Sequence, residues 1–293
     1  MTDPDIRLLT TVDLDGASGL STAAGWNQRL ADWHMLVQLA PSGSFAAAAD
    51  DRIIGTAIAI DYGTFGWIAM MLVDPEWRGQ GIGARLLEAA IGAVPPGIPI
   101  RLDATPLGRP LYRRYGFEDE VRLTRHVADA SRPSVDATSD RASGSSRDLT
   151  RADLPAVIAR DDRVFGAHRR LLLEWALDAA GRYAQVIDTG AGPQYCFGRP
   201  GRLFDHIGPV VAADDETAQA LVAGALLAAE GRPVVVDAFD RHGGFTAWLR
   251  KRGFSVSRPL FRMRRAAREG AHAGRSGPEG AVTERAILGP EFG

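Results

Sequence analysis

One cysteine, Cys196, and one lysine, Lys251, are all that 293 residues contain of either type. A lone thiol excludes an internal disulfide framework, and its aromatic neighbours Tyr195 and Phe197 predict a strand that buries it as an inert group. Arginine supplies the rest of the 34 basic residues, so its abundance reads as a coding bias toward high GC and carries little functional weight. A net charge of −2 argues against a nucleic-acid surface, and no nucleic-acid partner is expected. Long apolar runs are missing too. No segment reaches the roughly twenty residues of a membrane span, and Met1 to Leu9 lacks a basic-then-apolar leader pattern. No membrane contact is expected, and the cytoplasm is the expected location.

What is present is a globular composition, 45% apolar and 24% charged, in a chain long enough for two domains. Hydrophobic periodicity predicts a strand at Ile6–Thr10, helices within Val12–Leu20 and Trp26–Leu39, and strands near Ser44–Ala49, Arg52–Tyr62 and Phe65–Val73. From Val127 to Arg147 the periodicity gives way to Ser, Asp and Ala, the composition of a linker. Beyond it come helices near Ala152–Arg160 and Arg169–Ala179, strands near Arg182–Asp188, Gln194–Arg199 and Leu203–Val211, and a long helix at Asp214–Glu230. The expected division is a first domain over 1–128, a linker over 129–148, a second domain over 149–266 and a tail over 267–293. The tail is glycine-rich from Arg268 to Gly280 and ends in the more apolar Ala286-Ile287-Leu288-Gly289-Pro290-Glu291-Phe292-Gly293, which leaves a frayed end and a docked end both open.

The most informative stretch runs from Met71 to Leu87. A buried strand ends at Val73, Asp74-Pro75-Glu76-Trp77-Arg78-Gly79-Gln80-Gly81-Ile82-Gly83 turns, and an amphipathic helix comes next. Gly79, Gly81 and Gly83 lack a Cβ, so successive N–H groups can close around a pyrophosphate while the helix directs its positive end at the same charge. Arg78 adds a cation at the rim. The turn lacks the Gly-Lys-Ser/Thr ending of a P-loop, and neither its glycine spacing nor the Val94-Pro95-Pro96-Gly97 beyond it fits a dinucleotide fingerprint. One helix downstream, Leu102-Asp103-Ala104-Thr105 and then Gly108-Arg109-Pro110-Leu111-Tyr112-Arg113-Arg114-Tyr115-Gly116-Phe117 form a second motif.

On these two motifs the segment from about Ile6 to Val127 resembles the GNAT superfamily of acyl-CoA N-acyltransferases, whose Arg/Gln-x-x-Gly-x-Gly/Ala turn is matched by Arg78-Gly79-Gln80-Gly81-Ile82-Gly83. The resemblance implies an α/β (α+β) fold, with a mixed and largely antiparallel sheet flanked by helices. Acetyl-CoA is the implied co-substrate, without a metal. It would be held by Arg78, Gly79, Gln80, Gly81, Ile82, Gly83 and Ala84, with pantetheine between splayed fourth and fifth strands beside Met71, Leu72 and Val73. A backbone N–H near Leu72 or Val73 would polarise the thioester carbonyl. Tyr112 falls where the family's tyrosine faces the coenzyme sulfur and is the implied general acid, with Tyr115 left to the core. Thr105 stands where many relatives carry an asparagine against pantetheine.

The fourth strand, Gly66 to Val73, has no carboxylate. The base is then a water chain or an acid from elsewhere: Asp103 on the fifth strand is carried forward as the catalytic candidate, with Asp32 and His34 also open. Trp26, Asn27, Asp32 and Trp33 lie in the segment that lines the acceptor side of this fold, where Asp32 could pair with an ammonium. Trp26 and Trp33, seven apart on one helix face, fit a core stripe as well as a pocket wall.

Val235-Val236-Asp237-Ala238-Phe239-Asp240 followed by Trp248-Leu249-Arg250-Lys251-Arg252-Gly253-Phe254 repeats the second motif with about three extra residues between, the mark of an internal duplication. The matching turn, Val211-Ala212-Ala213-Asp214-Asp215-Glu216, has no glycine and three carboxylates, which cap a helix well and repel a pyrophosphate. The second domain is therefore expected to be a degenerate GNAT-like module that walls the substrate pocket or the dimer, as in a tandem subgroup of the superfamily. The expected activity is acetyl transfer from acetyl-CoA to the primary amine of a small molecule, by direct attack in a ternary complex, in a monomer or homodimer. Acetylation of a protein lysine or N-terminus is the alternative within the class; a non-catalytic acyl-CoA-binding sensor or scaffold is the alternative outside it.

Overall fold

The computed structural model describes residues 4–50, 52–129, 146–229, 231–267 and 283–293. Most of the expected linker and the glycine-rich part of the tail lie outside the described residues, as does Glu230 at the end of the long helix. The chain forms two compact units: Met1–Glu120, Arg262–Gly274 and Pro290–Gly293 make the first, and Val121–Phe261 with Arg275–Gly289 the second.

In the first unit, strands β1 (Asp5–Leu8), β2 (Ser44–Ala49), β3 (Arg52–Asp61) and β4 (Gly66–Val73) pair antiparallel in that order, and β5 (Ile100–Ala104) adds parallel to β4. Helices α1 (Leu14–Ala23) and α2 (Leu30–Leu39) lie between β1 and β2, α3 (Ile82–Ala93) between β4 and β5, and α4 (Arg109–Arg114) after β5. The helix α3 buries Ile82, Leu86, Leu87 and Ala90 on one face, each leucine contributing about 2 kcal/mol. The helix expected within Trp26–Leu39 begins at Leu30. Gly25 has φ 70°, and the Asp32 carboxylate accepts the Arg29 N–H at 2.6 Å, which caps the helix there. Trp26 thus precedes the helix and does not share a helical face with Trp33.

The main irregularity of this sheet is a bulge in β4. Thr56 stands opposite Leu72 but Ile58 stands opposite Ala69, so the single residue Ala57 faces both Met70 and Met71. Met70 has φ 51°, and the Thr56 hydroxyl holds its carbonyl at 2.7 Å. Between β4 and β5 the register records only the pairs Gly66 with Ile100 and Trp67 with Arg101, both at the start of the strands. From Ile68 onward the two strands run apart.

The second unit repeats this order. Strands β7 (Arg147–Asp148), β8 (Gln185–Thr189), β9 (Gly192–Arg199) and β10 (Asp205–Ala212) are antiparallel, and β11 (Val234–Phe239) pairs parallel with β10. Helices α5 (Leu154–Phe165), α6 (Arg170–Ala180), α7 (Asp215–Leu227) and α8 (Gly243–Lys251) occupy the matching places. The correspondence reaches single hydrogen bonds. The N–H of Gly66, first in β4, donates to the Pro99 carbonyl before β5 at 2.9 Å, and that of Asp205, first in β10, donates to Pro233 before β11 at 2.8 Å. Phe117 N–H reaches the Tyr112 carbonyl at 3.2 Å, and Phe254 N–H reaches Leu249 at 3.1 Å.

Four strands lie outside the expected elements: β7, which ends the segment expected as linker, and β6 (Glu118–Ala128), β12 (Ser255–Arg265) and β13 (Thr283–Ala286). Most of β6 belongs to the second unit, antiparallel to β11, while the end of β12 belongs to the first. The end of the tail is docked, with Ile287, Leu288 and Phe292 buried. Cys196 is buried between the carbonyls of Tyr183 and Leu221, and burial pushes its thiol up to about 12, which leaves it protonated and inert.

Candidate active site

Eight residues, Asp74–Gly81, join β4 to α3. Pro75–Trp77 turn as a 3₁₀ helix capped by the Asp74 carboxylate, which accepts the Glu76 N–H at 3.0 Å. Gly79 and Gly81 both have φ 79°, the left-handed region that favours glycine. Among the described residues no protein group accepts from the N–H groups of Gly79, Gln80, Gly81, Ile82 or Gly83, whereas Ala84 N–H is taken by the Gly81 carbonyl at 3.0 Å. A run of donors at a helix N-terminus suits a phosphate group. Arg78 is exposed at the rim, and its Nε donates to the Val73 carbonyl at 3.1 Å.

The same place receives α4. A Cβ on Gly83 would stand 3.6 Å from Val73 Cγ2 and 3.9 Å from Leu111 Cδ2, so the start of α3, the end of β4 and α4 meet. Tyr112, next to Leu111, is buried, with its ring edge-on to Phe117 at 6.0 Å between centroids. Among the described residues its hydroxyl has no hydrogen-bond partner, and burial raises its pKa above the ordinary 10. The Thr105 hydroxyl accepts from Gly108 N–H at 3.3 Å and keeps its own proton free to donate. Met71 and Val73 are half-buried and Leu72 is buried along the diverging part of β4. Tyr115 reaches Glu88 with its hydroxyl at 2.6 Å at the surface.

Asp103 is held by Arg262, whose Nε and Nη2 donate to its two oxygens at 3.0 Å each, and its side chain is fully buried. The Arg262 guanidinium also lies 4.8 Å from the centre of the Trp67 ring. Sequence reasoning missed Arg262, which is 159 positions from Asp103 and has no local signal. Pro290 and Phe292 were missed in the same way: their carbonyls accept from Trp67 Nε1 at 3.1 Å and the Tyr62 hydroxyl at 2.8 Å. On the acceptor segment Trp26 is half-buried, Asn27 and Asp32 are buried, and Trp33 is in the core with its Nε1 on the Ser21 hydroxyl at 3.2 Å. His34 is exposed on α2.

The second unit repeats the frame with different residues at these positions. Only Ala213 and Asp214 join β10 to α7, too few for a cradle, and Asp214 caps the helix by accepting Thr217 N–H at 2.7 Å. Leu249 stands where Tyr112 stands in the first copy. Asp237, the counterpart of Asp103, is again buried and again held at both oxygens, by Arg125 at 2.8 and 2.7 Å.

Comparison with known proteins bears on this arrangement. Residues 41–119 and 157–274 each match a family model described as an acetyltransferase (GNAT) domain, together roughly two thirds of the chain. Holothin acyltransferase of a Pseudoalteromonas species is 26% identical over 83% of this chain and 81% of its own length. A Pyrococcus horikoshii protein assigned as an acetyltransferase superposes with a TM-score of 0.74 over 100% of this chain and 97% of its own, at 21% identity. A tandem GNAT protein from the clavulanic acid biosynthesis pathway covers 91% of this chain and 99% of its own, with a TM-score of 0.60 at 14% identity.

Proposed function

Given that the chain belongs to the GNAT superfamily and is an acyl-CoA-dependent N-acyltransferase with two such domains in tandem, we propose that its first unit transfers acetyl from acetyl-CoA to the primary amine of a small molecule. The observation that carries this reading is the divergence of β4 from β5 beyond Trp67, with five amides at its mouth that are unpaired among the described residues and Tyr112 beside it. In this reading the N–H groups from Gly79 to Gly83 take the pyrophosphate, Arg78 closes over it, and Met71, Leu72, Val73 and Thr105 flank the pantetheine arm. Bound acetyl-CoA supplies a thioester that a neutral amine attacks directly. A β4 N–H near Leu72 or Val73 polarises the carbonyl, and Tyr112 gives its proton to the departing sulfur. The burial that disfavours the phenolate also disfavours a thiolate formed beside it.

The amine proton goes to solvent in this reading, not to Asp103. Both Asp103 oxygens already accept from the Arg262 fork, and the side chain is buried. The same pair recurs as Asp237 with Arg125 in the copy without a tyrosine, which gives it to the architecture. Holothin acyltransferase, similar over 83% of the chain, is named for holothin and not for a protein terminus, which favours a small acceptor. Tyr112→Phe tests the assignment in an acetyl-transfer assay over a panel of small primary amines. Turnover should fall by roughly a hundredfold or more, with acetyl-CoA affinity changed by less than about twofold. An undiminished rate removes Tyr112 as the acid, and transfer to peptides alone removes the small acceptor.

A further inference from the structure

The gap between β10 and β11 is the second copy's counterpart of the pantetheine slot, and the chain's own tail lies in it. The parallel strands β10 and β11 pair through Asp205 with Val234 and His206 with Val235, at their starts, as β4 and β5 do. Past that point β13 runs antiparallel to both, with Ala286 opposite Val210 on one side and Ala238 on the other. The ladder continues beyond the strand, where Ile287 N–H donates to the Asp237 carbonyl at 3.1 Å. Contact with β10 is close. A Cβ on Gly208 would lie 1.9 Å from the Ile287 carbonyl oxygen, a distance that no side chain at this position allows.

At the mouth of the gap the turn has reversed its polarity. In the first unit that turn offers N–H donors that are unpaired among the described residues. In the second it offers acceptors, and the Arg285 guanidinium takes them: Nε to the Ala212 carbonyl at 3.3 Å, Nη2 to Ala213 at 2.6 Å, and Nη1 to Asp215 Oδ1 at 2.8 Å. The acidic run that would repel a pyrophosphate is thus a cation site, and its cation comes from the same chain.

We infer that the gap between β10 and β11 is a binding site for an extended peptide, filled in cis by residues 283–289, with Arg285 as the anchoring side chain at the turn. A strand paired on both sides satisfies the backbone groups that the divergence would leave bare, and the guanidinium fork satisfies the turn. The second copy has exchanged a soluble thioester for a permanent peptide ligand of opposite charge at its polar end.

Amide hydrogen exchange on the full-length chain, read by mass spectrometry, tests this without requiring turnover, so it stands or falls apart from the acetyl-transfer reading. The 284–288 amides should exchange as slowly as those of β10 and β11, whether or not acetyl-CoA is saturating. Arg285→Ala should speed exchange in 284–288 by roughly tenfold or more while β4 and α3 keep their rates. Should that variant unfold the second unit, Asp215→Asn removes the same ion pair with the side-chain volume kept and must produce the same local release. Fast exchange in the unmodified chain, release of the segment by acetyl-CoA, or unchanged rates in both variants would overturn the inference.

Discussion

Gly81 has φ 79° and no heavy atom within 4 Å of where a Cβ would stand, so a side chain there meets a backbone restriction but no wall. Asparagine and aspartate tolerate that conformation best among the other residues, which makes them a matched pair of probes. They share a shape and differ by one charge. A carboxylate about 4 Å from a phosphate oxygen near the protein surface costs about 4 kcal/mol, roughly a thousandfold in affinity. Gly81→Asp should therefore abolish measurable acetyl-CoA binding in calorimetry, while Gly81→Asn loses only a small part of it and both variants melt close to the parent. Tight binding by the aspartate variant would remove the turn from the coenzyme site. The glycines of this turn were legible in the sequence because a backbone cradle needs contiguous residues of special conformation. The Asp103–Arg262 pair was not, since only the folded sheet brings those positions together.

Among the elements, β13 carries the most unusual electrostatics, and His242 at the start of α8 reports on it. The Arg285 Nη1 lies 2.5 Å from His242 Nδ1, and His242 Nε2 lies 3.2 Å from the Glu284 carbonyl. Burial, then the positive charges of Arg285 and Arg241, hold the imidazole down to about 4, against the weaker pull of the Glu284 carbonyl and Asp215. An unfolded chain binds a proton on this histidine below about 6.5, and the folded one does not until about 4. Its contribution to stability is therefore complete above pH 6.5 and declines as the pH falls from there to about 4. The urea midpoint of the parent should fall more steeply than that of His242→Gln across this window, and parallel curves would show that His242 is not held neutral by the tail. Elements with their own periodicity, such as Ser44–Ala49, were readable directly. The start of α2 was not, because Gly25 and the Asp32 cap override the apolar spacing of Trp26 and Trp33. Nor was β13, a short strand whose reason to exist is a gap 70 residues earlier in the chain.

At the scale of the whole molecule, a duplicated frame carries two gaps, of which the second is filled by β13. Both copies begin the parallel pair at a proline carbonyl, both bulge the preceding strand, and both lock the fifth-strand aspartate with an arginine fork. The differences are confined to the eight-residue glycine turn against a two-residue acidic one, Tyr112 against Leu249, and an open gap against one lined by β13. In the proposed reading, divergence at these sites leaves coenzyme binding to the first copy alone. Isothermal titration of the full chain with acetyl-CoA should give one site per chain. Addition of Gly81→Asp should remove that site without exposing another, because the second gap is already occupied at both its apolar and its polar end. Two sites would mean that the tail yields to the coenzyme and that the acidic turn has been misassigned. With no site at all, the cradle would be a relic, and the first copy a scaffold in spite of its tyrosine.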